Sequence, residues 1–138
     1  TTTTTTTVKP DKPDPDDNGK PQKPYRVKAT MGDPSKKTDM YYILGAKIEG
    51  NLLIMDIEYS GGCALHKFEF VGSEALSKSL PPQRSVKLMH VDGDDMCEAM
   101  VPQTIEIDIS ELAYTQNSGS EIILNLDGFD QPLTYIYP

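Results

Sequence analysis

The chain has 138 residues, a length that predicts one compact domain and leaves no room for a second catalytic domain. Lysine and arginine total 13 against 21 aspartates and glutamates, so the formal net charge of −8 at pH 7 disfavours proteins that bind nucleic acid or anionic membrane surfaces. No stretch approaches the ~20 apolar residues of a membrane-spanning helix, and the N-terminus lacks the charged-then-apolar layout of a signal peptide, so we expect a soluble chain that has already been processed.

The first 24 residues differ in composition from all that follow. Seven threonines precede a run of lysine, proline and aspartate in which Val8 is the only sizeable apolar side chain, so the segment cannot bury enough surface to offset its ordering entropy. Its four lysines balance its four aspartates, and its five prolines favour extended conformations. We therefore predict a neutral, semi-stiff tether over residues 1–24 and a folded domain over residues 25–138 that carries the whole net charge of −8.

Apolar and polar residues alternate from Tyr25 onwards, which is the pattern of half-buried strands. Leu53, Met55 and Ile57, for example, share one face of a predicted strand, and acidic residues occupy the other face. In chain order the predicted strands centre on residues 51–59, 67–70, 85–88, 105–109, 122–126 and 133–137. Turn signals rich in glycine or proline separate these runs.

Helical periodicity is confined to two single turns, at residues 73–79 and 110–114. Seven or eight short strands at spacings of about ten residues, each with one apolar face, favour two sheets packed face to face. We predict an all-β fold, an antiparallel β-sandwich of immunoglobulin-like type. A small β-barrel is the alternative, because strand count and alternation do not distinguish the two architectures.

Two cysteines, Cys63 and Cys97, lie in the predicted domain. An even pair in a chain that resembles a secreted protein predicts a disulfide, provided that the strands carrying the cysteines are neighbours. The chain-entropy model gives about 4 kcal/mol of stabilisation for a loop of this length. Gly61 and Gly62, directly before Cys63, indicate a positive φ, a close approach of another segment, or a bulge at a strand end.

Both histidines of the chain, His66 and His90, lie close to the cysteines in the sequence. Alternation places His66 on the face of Phe68 and His90 on the face of Leu88, so each imidazole points inward at the end of a strand. We predict that each ring is half-buried and hydrogen-bonded to the backbone or to the acidic turn at residues 92–95.

An alternative hypothesis for these four residues is a zinc or copper site whose ligands are Cys63, His66, His90 and Cys97. The spacing is not that of a zinc finger, and only the C-x2-H half resembles a chelating pair. A disulfide removes both thiolates, so the disulfide and the metal site exclude each other.

Motifs for catalysis are missing from the sequence. The serines have no nearby histidine and no G-x-S-x-G turn, and neither standard glycine-rich phosphate loop occurs. Alternation places most carboxylates on outward strand faces. We therefore predict no enzymatic activity, no catalytic residues and no cofactor; an enzyme that acts on extracellular glycan is a third hypothesis without named residues.

A block with the pattern GGC-x2-H-x-F at residues 60–70, the Pro81-Pro82 pair, and residues 93–99 after His90 carry a family resemblance. The sequence resembles small uncharacterised lipoproteins of Bacteroidota, flavobacteria in particular, over most of residues 41–138. This resemblance implies an extracytoplasmic location, at the outer membrane or cell surface, and an N-terminal lipid-bearing cysteine upstream of Thr1. It also implies that the tail is the linker of such a lipoprotein, and it implies no activity.

From these observations we expect a non-enzymatic, lipoprotein-like binding or accessory subunit of an outer-membrane or secretion assembly. Its partners would be proteins of the cell envelope, with no nucleic acid, and it would touch the membrane only through an N-terminal lipid anchor upstream of Thr1. Exposed edge strands of a sandwich offer hydrogen bonds to a partner's strand. The alternative function is a metal-binding envelope protein that uses the Cys/His cluster.

Overall fold

The structure is a computed structural model that describes residues 23–138, so most of the predicted tether lies outside the described residues and its role stays a prediction. Nine strands and one 3-10 turn form the described part. In chain order they are β1 (Tyr25–Lys28), β2 (Thr30–Met31), β3 (Tyr42–Glu49), β4 (Leu52–Gly61), β5 (Lys67–Gly72), β6 (Gln83–Val91), β7 (Ala99–Asp108), the 3-10 turn (Ser110–Leu112), β8 (Glu121–Leu126) and β9 (Leu133–Ile136). Among the described residues, no helix is long and apolar enough to cross a membrane.

The strands form two sheets, and the predicted all-β sandwich is confirmed. One sheet has the order β1-β7-β4-β3 and the other has the order β2-β5-β6-β8-β9. Their apolar faces enclose a single core, as the period-two alternation predicts. The two sheets remain separate, with β1, β3, β2 and β9 as edge strands, and so do not close into a barrel.

Strand pairing is mixed, where the sequence predicted antiparallel pairing throughout. The pairs β1 with β7, β2 with β5, and β6 with β8 are parallel. In the last of these, Arg84 lies opposite Leu124. Since β7 separates β6 from β8 along the chain but belongs to the other sheet, the chain crosses the sandwich between them and returns in the original direction. The immunoglobulin-like description therefore applies to the two-sheet architecture, and the strand order is particular to this fold.

The core consists of alternate residues from both sheets. In the first sheet, Leu53, Met55 and Ile57 of β4 are at most 1% exposed. In the second sheet the corresponding buried residues include Phe68, Phe70, Val86, Leu88, Ile122, Leu124 and Tyr135. Burial of a side chain of this size contributes about 1.5–3 kcal/mol, so these residues provide the main driving force for packing the two sheets together.

One of the two predicted helical turns is absent, because the backbone N–H groups of Ser73 and Ser77 donate to the carbonyl oxygens of Ser85 and Gln83 instead. Residues 73–79 are not helical; instead the backbone of Ser77 bridges to Gln83. The guanidinium of Arg84 donates hydrogen bonds to the carbonyl oxygens of Ser73 and Leu112, and burial lowers its pKa. The second predicted turn is present as the 3-10 turn Ser110–Leu112.

Three segments meet at one end of the sandwich, which we call the disulfide end: residues 38–42, 62–66 and 91–98. The last two connect or extend paired strands, because β4 ends where β7 begins and β5 begins where β6 ends. Residues 38–42 lead into β3 and contact the end of β6 through the hydrogen bond from Asp39 N–H to the His90 carbonyl oxygen, 3.0 Å long. These segments contain both cysteines and His66, and His90 directly precedes the third segment.

Candidate functional site

A disulfide joins Cys63 to Cys97, as the sequence predicts. The two Cα atoms are 5.8 Å apart, within the range that disulfides span. Cys63 is exposed and Cys97 is half-buried. The bond therefore links the loop between β4 and β5 to the loop between β6 and β7 at the surface of the disulfide end.

Directly beneath the disulfide, the carboxylate of Asp95 is completely buried and accepts five hydrogen bonds. Its Oδ1 accepts one from the backbone N–H of Cys97, at 3.0 Å. Its Oδ2 accepts one from Nε2 of His66, at 2.8 Å. The same Oδ2 accepts three more, each 3.0 Å long, from the consecutive N–H groups of Gly62, Cys63 and Ala64. Consecutive N–H groups that converge on one oxygen form an anion-binding concavity, here filled by the protein's own carboxylate.

Opposing effects act on the pKa of Asp95. Burial by itself raises the pKa, but the hydrogen bonds from His66 and from the backbone N–H groups of Cys63, Cys97 and Ala64 lower it by more. The net result is a pKa well below the ordinary value, so Asp95 is an anion at neutral pH.

The two imidazoles extend this network across the end of the sandwich. Nδ1 of His66 lies 2.7 Å from Nε2 of His90, and Nδ1 of His90 lies 3.1 Å from the carbonyl oxygen of Met40. The planes of the two rings differ by 17°, and their centroids are 5.0 Å apart. A continuous chain of hydrogen bonds thus runs from Asp95 through His66 and His90 to Met40.

The identities of the terminal acceptors determine where the hydrogens lie. A carboxylate and a carbonyl oxygen only accept, so Nε2 of His66 and Nδ1 of His90 must both carry hydrogen. A hydrogen bond between the two rings uses a further hydrogen, on Nδ1 of His66 or Nε2 of His90, and it forms when the pair holds one additional proton. Burial, and next the neighbouring His66, lower the pKa of His90, against smaller raising effects from the backbone of Met40 and Asp39 and the charge of Asp39.

Aromatic side chains enclose the histidine pair. The ring of Tyr59 stacks on His66 with centroids 4.1 Å apart, and Phe68 stacks on His90 at 4.9 Å with the planes within 8°. The ring of Tyr41 meets His90 edge-on at 6.0 Å. His66 and His90 are 5% and 2% exposed, so the pair is screened from solvent.

Both glycines before Cys63 have conformational roles that the sequence indicated. Gly62 has a φ of +112°, which favours glycine. At Gly61, a Cβ atom would lie 2.6 Å from Oδ2 of Asp95 and 2.7 Å from Nε2 of His66. Of the alternatives for these two glycines, the close approach occurs at Gly61 and the positive φ occurs at Gly62.

The hypothetical metal-ligand set of Cys63, His66, His90 and Cys97 is arranged differently from a Cys2His2 site. The two sulfurs are bonded to each other and supply no thiolate. The facing imidazole nitrogens are 2.7 Å apart in direct hydrogen bonding, which leaves no room for an ion at the ~2.0 Å Zn–N distance from each ring. The other hypothesis gives the hydrogen-bond partners correctly, since His66 bonds to the acidic turn and His90 bonds to the backbone, but both rings are buried, where half-buried rings were predicted, because Tyr59 and Phe68 stack on them.

Sequence reasoning missed the contact between the two histidines and the role of Asp95. A signal for the first was present, because both rings were placed inward at strand ends and β5 pairs with β6. No local signal distinguished Asp95 from Asp92 and Asp94, since all three lie in one acidic turn. Nothing in the sequence indicated that the Met40 carbonyl oxygen accepts a hydrogen bond from His90, because the two residues are 50 positions apart.

Comparison with known proteins finds likeness at the level of structure. No protein-family model matches the chain, and no curated protein matches it. A NigD-like immunity protein from Bacteroides caccae superposes with a TM-score of 0.64 and 15% identity, over 83% of this chain and 65% of that one. A putative toxin-related protein from Parabacteroides distasonis superposes with a TM-score of 0.54 and 16% identity, over 80% of this chain and 60% of that one. The chain therefore spans slightly less than two thirds of either protein, and what the likeness shows is the common β fold.

Proposed function

We propose that this chain is a non-enzymatic binding protein of the cell envelope that acts on a protein partner in an accessory or immunity role. The observation that carries the proposal is the fold that the chain has in common with the NigD-like immunity protein of Bacteroides caccae. The likeness to the toxin-related protein of Parabacteroides distasonis supports the same class of role. A metal-binding function lacks comparable support, because the disulfide and the imidazole hydrogen bond occupy the groups that it needs.

A location outside the cytoplasm is part of the proposal. Disulfides form and persist mainly in oxidising compartments, so the bond between Cys63 and Cys97 supports an extracytoplasmic chain. The resemblance to Bacteroidota lipoproteins supports attachment to the outer membrane through a lipid-bearing cysteine upstream of Thr1. In this arrangement residues 1–24 serve as the spacer between the membrane and the domain.

The inaccessibility of the titratable cluster supports a non-enzymatic role. His66, His90 and Asp95 form a cluster of titratable side chains, but these side chains are buried and are covered by Tyr59 and Phe68 and by the loops. Two surface depressions of residues 23–138 are lined by other residues, the larger of about 560 Å³ by the neighbourhood of Leu80–Pro82 and Tyr114–Glu121. A molecule bound in either depression would therefore not contact His66, His90 or Asp95.

Cross-linking in intact cells tests the proposed partner. The full tagged chain, expressed in a bacterium that carries the natural gene, is cross-linked, purified under denaturing conditions and analysed by mass spectrometry. We expect one protein to be enriched over a control with an unrelated tagged envelope protein, and to bind the purified chain directly. Recovery of the uncross-linked chain alone, across several cross-linker lengths, would contradict the proposal.

Alkylation and fractionation test the location. In intact cells we expect the chain in the envelope fraction, with neither cysteine alkylated unless a reductant is added first, and with both alkylated afterwards. Free thiols at Cys63 and Cys97 together with recovery in the cytoplasmic fraction would show the location to be wrong.

A further inference from the structure

We propose that the disulfide end is the surface that binds the partner, and that it selects a cationic polypeptide segment bearing apolar side chains. This inference rests on the proposed function, because it takes the partner to be a protein. It adds the place of binding and the chemistry of the partner. The observations that carry it are exposed apolar side chains, the rigid loops that hold them and the sign of the surrounding charge.

Large apolar side chains project from each of the three segments at this end. Met96 is 87% exposed and Met40 is 73% exposed, and Val91 and Leu65 are each about half exposed. Loop positions outside the core accept polar residues without loss of packing, so four large apolar side chains here are not explained by the stability of the fold. Methionine is enriched at protein interfaces, where its flexible thioether adapts to the surface of a partner.

Backbone contacts bring the three segments together. Oδ2 of Asp39 accepts a hydrogen bond of 2.8 Å from the N–H of Asp92, which joins the segment of Met40 to that of Val91. A Cβ atom at Gly93 would lie 2.7 Å from the carbonyl oxygen of Leu65, so those two loops are in close contact. The four apolar side chains therefore belong to one continuous end of the sandwich.

The buried network and the disulfide keep this end rigid. The disulfide and the five hydrogen bonds to Asp95 fix the loop of Leu65 against the loop of Met96, and the bond from His90 to the Met40 carbonyl fixes the third segment. Loops that are already ordered lose little conformational entropy on binding. The shielded network therefore holds the binding surface at this end in one conformation.

The charge of the disulfide end indicates the chemistry of its partner. Residues 38–42, 62–66 and 91–98 contain five carboxylates and no lysine or arginine, and the cations directly adjoining them are Lys37 and Lys67, the latter opposite Val91 in the pair of β5 and β6. The side chain of Asp95 is buried and contacts His66, so the carboxylates left to face the surroundings are those of Asp39, Asp92, Asp94 and Glu98. An anionic surface around apolar side chains repels acidic partners and attracts a segment that combines lysine or arginine with apolar residues.

The test uses three short fluorescein-labelled peptides and the full chain: one peptide of lysine and leucine, one of lysine and serine, and one of glutamate and leucine. Binding is measured by fluorescence anisotropy. We expect the lysine–leucine peptide to bind at least about tenfold more tightly than either of the others, because it alone matches both the charge and the apolar side chains. Equal affinity for the lysine–serine peptide would overturn the proposal, since charge alone would then explain binding.

Matched variants locate the site. The double variant M40S/M96S removes exposed apolar groups at the disulfide end, and L80S/Y114S removes exposed apolar groups elsewhere, with Leu80 98% exposed. The double variant D94N/E98Q removes two charges at the disulfide end, and E74Q/D130N removes two elsewhere. We expect about a tenfold loss of affinity for the first member of each pair and little change for the second. An equal loss in both members would overturn the proposal.

Amide chemical-shift mapping on the wild-type chain provides a readout that needs no variant. We expect the lysine–leucine peptide to perturb residues 38–42, 62–66 and 91–98, and perturbations centred elsewhere would overturn the site. The cross-linking experiment separates this inference from the proposed function. If M40S/M96S still captures the partner as well as wild type does, the site is wrong and the function stands; if no partner is captured by any form, the proposed function fails.

Discussion

Nδ1 of His66 lies 2.7 Å from Nε2 of His90, and Nε2 of the same His66 ring lies 2.8 Å from the buried carboxylate of Asp95. The pair thus connects three segments that are distant in sequence, through Asp95 on one side and the Met40 carbonyl on the other. Buried charge is tolerated only where it is paired and hydrogen-bonded, so the stability of this end depends on all members of the network together.

Substitution of Asp95 by asparagine will strongly destabilise the domain. The variant keeps the size of the side chain but removes the buried anion and replaces one acceptor oxygen by an NH2 group, which leaves buried N–H donors without an acceptor. We expect a loss of about 3–5 kcal/mol in the free energy of unfolding, measured by urea denaturation. Asp94→Asn is the matched control, because Asp94 is exposed and asparagine tolerates its φ of +59°. A loss below about 1 kcal/mol for Asp95→Asn would contradict the buried, hydrogen-bonded anion.

The positions of the hydrogens on the two rings can be observed directly. Long-range ¹H–¹⁵N spectra should show hydrogen on Nε2 of His66 and on Nδ1 of His90, because each of these nitrogens faces a group that only accepts. Screening from solvent should make these hydrogens slow to exchange. The opposite tautomer on either ring would contradict the chain of hydrogen bonds.

Stability should fall on mild acidification. Burial, and next the neighbouring His66, lower the pKa of His90 below the value of about 6.5 that the unfolded chain has, so the unfolded state binds the proton more readily. This contribution is complete above about pH 6.5 and is lost as the pH falls through the pKa of the folded state. The lowered pKa of Asp95 acts in the same direction, but only below the unfolded value of about 3.9.

Urea unfolding at a series of pH values measures this dependence. We expect the His90→Gln variant to lose the step that begins near pH 6.5 while it keeps the loss at lower pH. A wild-type stability that stays constant from about pH 7 to pH 5 would contradict the prediction.

A methyl group at residue 61 should disrupt the network. Because the Cβ of Gly61→Ala would lie within 2.7 Å of both Asp95 and His66, one of these buried groups must move. We expect a loss of about 3 kcal/mol, comparable to overpacking a core. Gly45→Ala is the matched control within a strand, since no atom lies within 4 Å of its Cβ position. Equal thermal stability of the two variants would mean that the close approach at Gly61 is not needed.

Several features of the site could be predicted from the sequence, and those that could not involve particular residues. The pairing of Cys63 with Cys97 followed from their being the two cysteines of the chain, and the inward direction of His66 and His90 followed from strand alternation. The burial of Asp95 did not follow, because an acidic turn gives no sign of which carboxylate turns inward.

The sequence by itself determined the fold class and the apolar face of each strand, because side-chain direction in a strand repeats every two residues and is a local property. The tertiary structure decided that β6 and β8 are parallel, that Asp95 lies against three consecutive N–H groups, and that Met40 supplies the acceptor for His90. Each of these depends on which distant segment folds against which. The hydrogen-bond partner of a buried group is chosen by that packing, and no local pattern of residues encodes it.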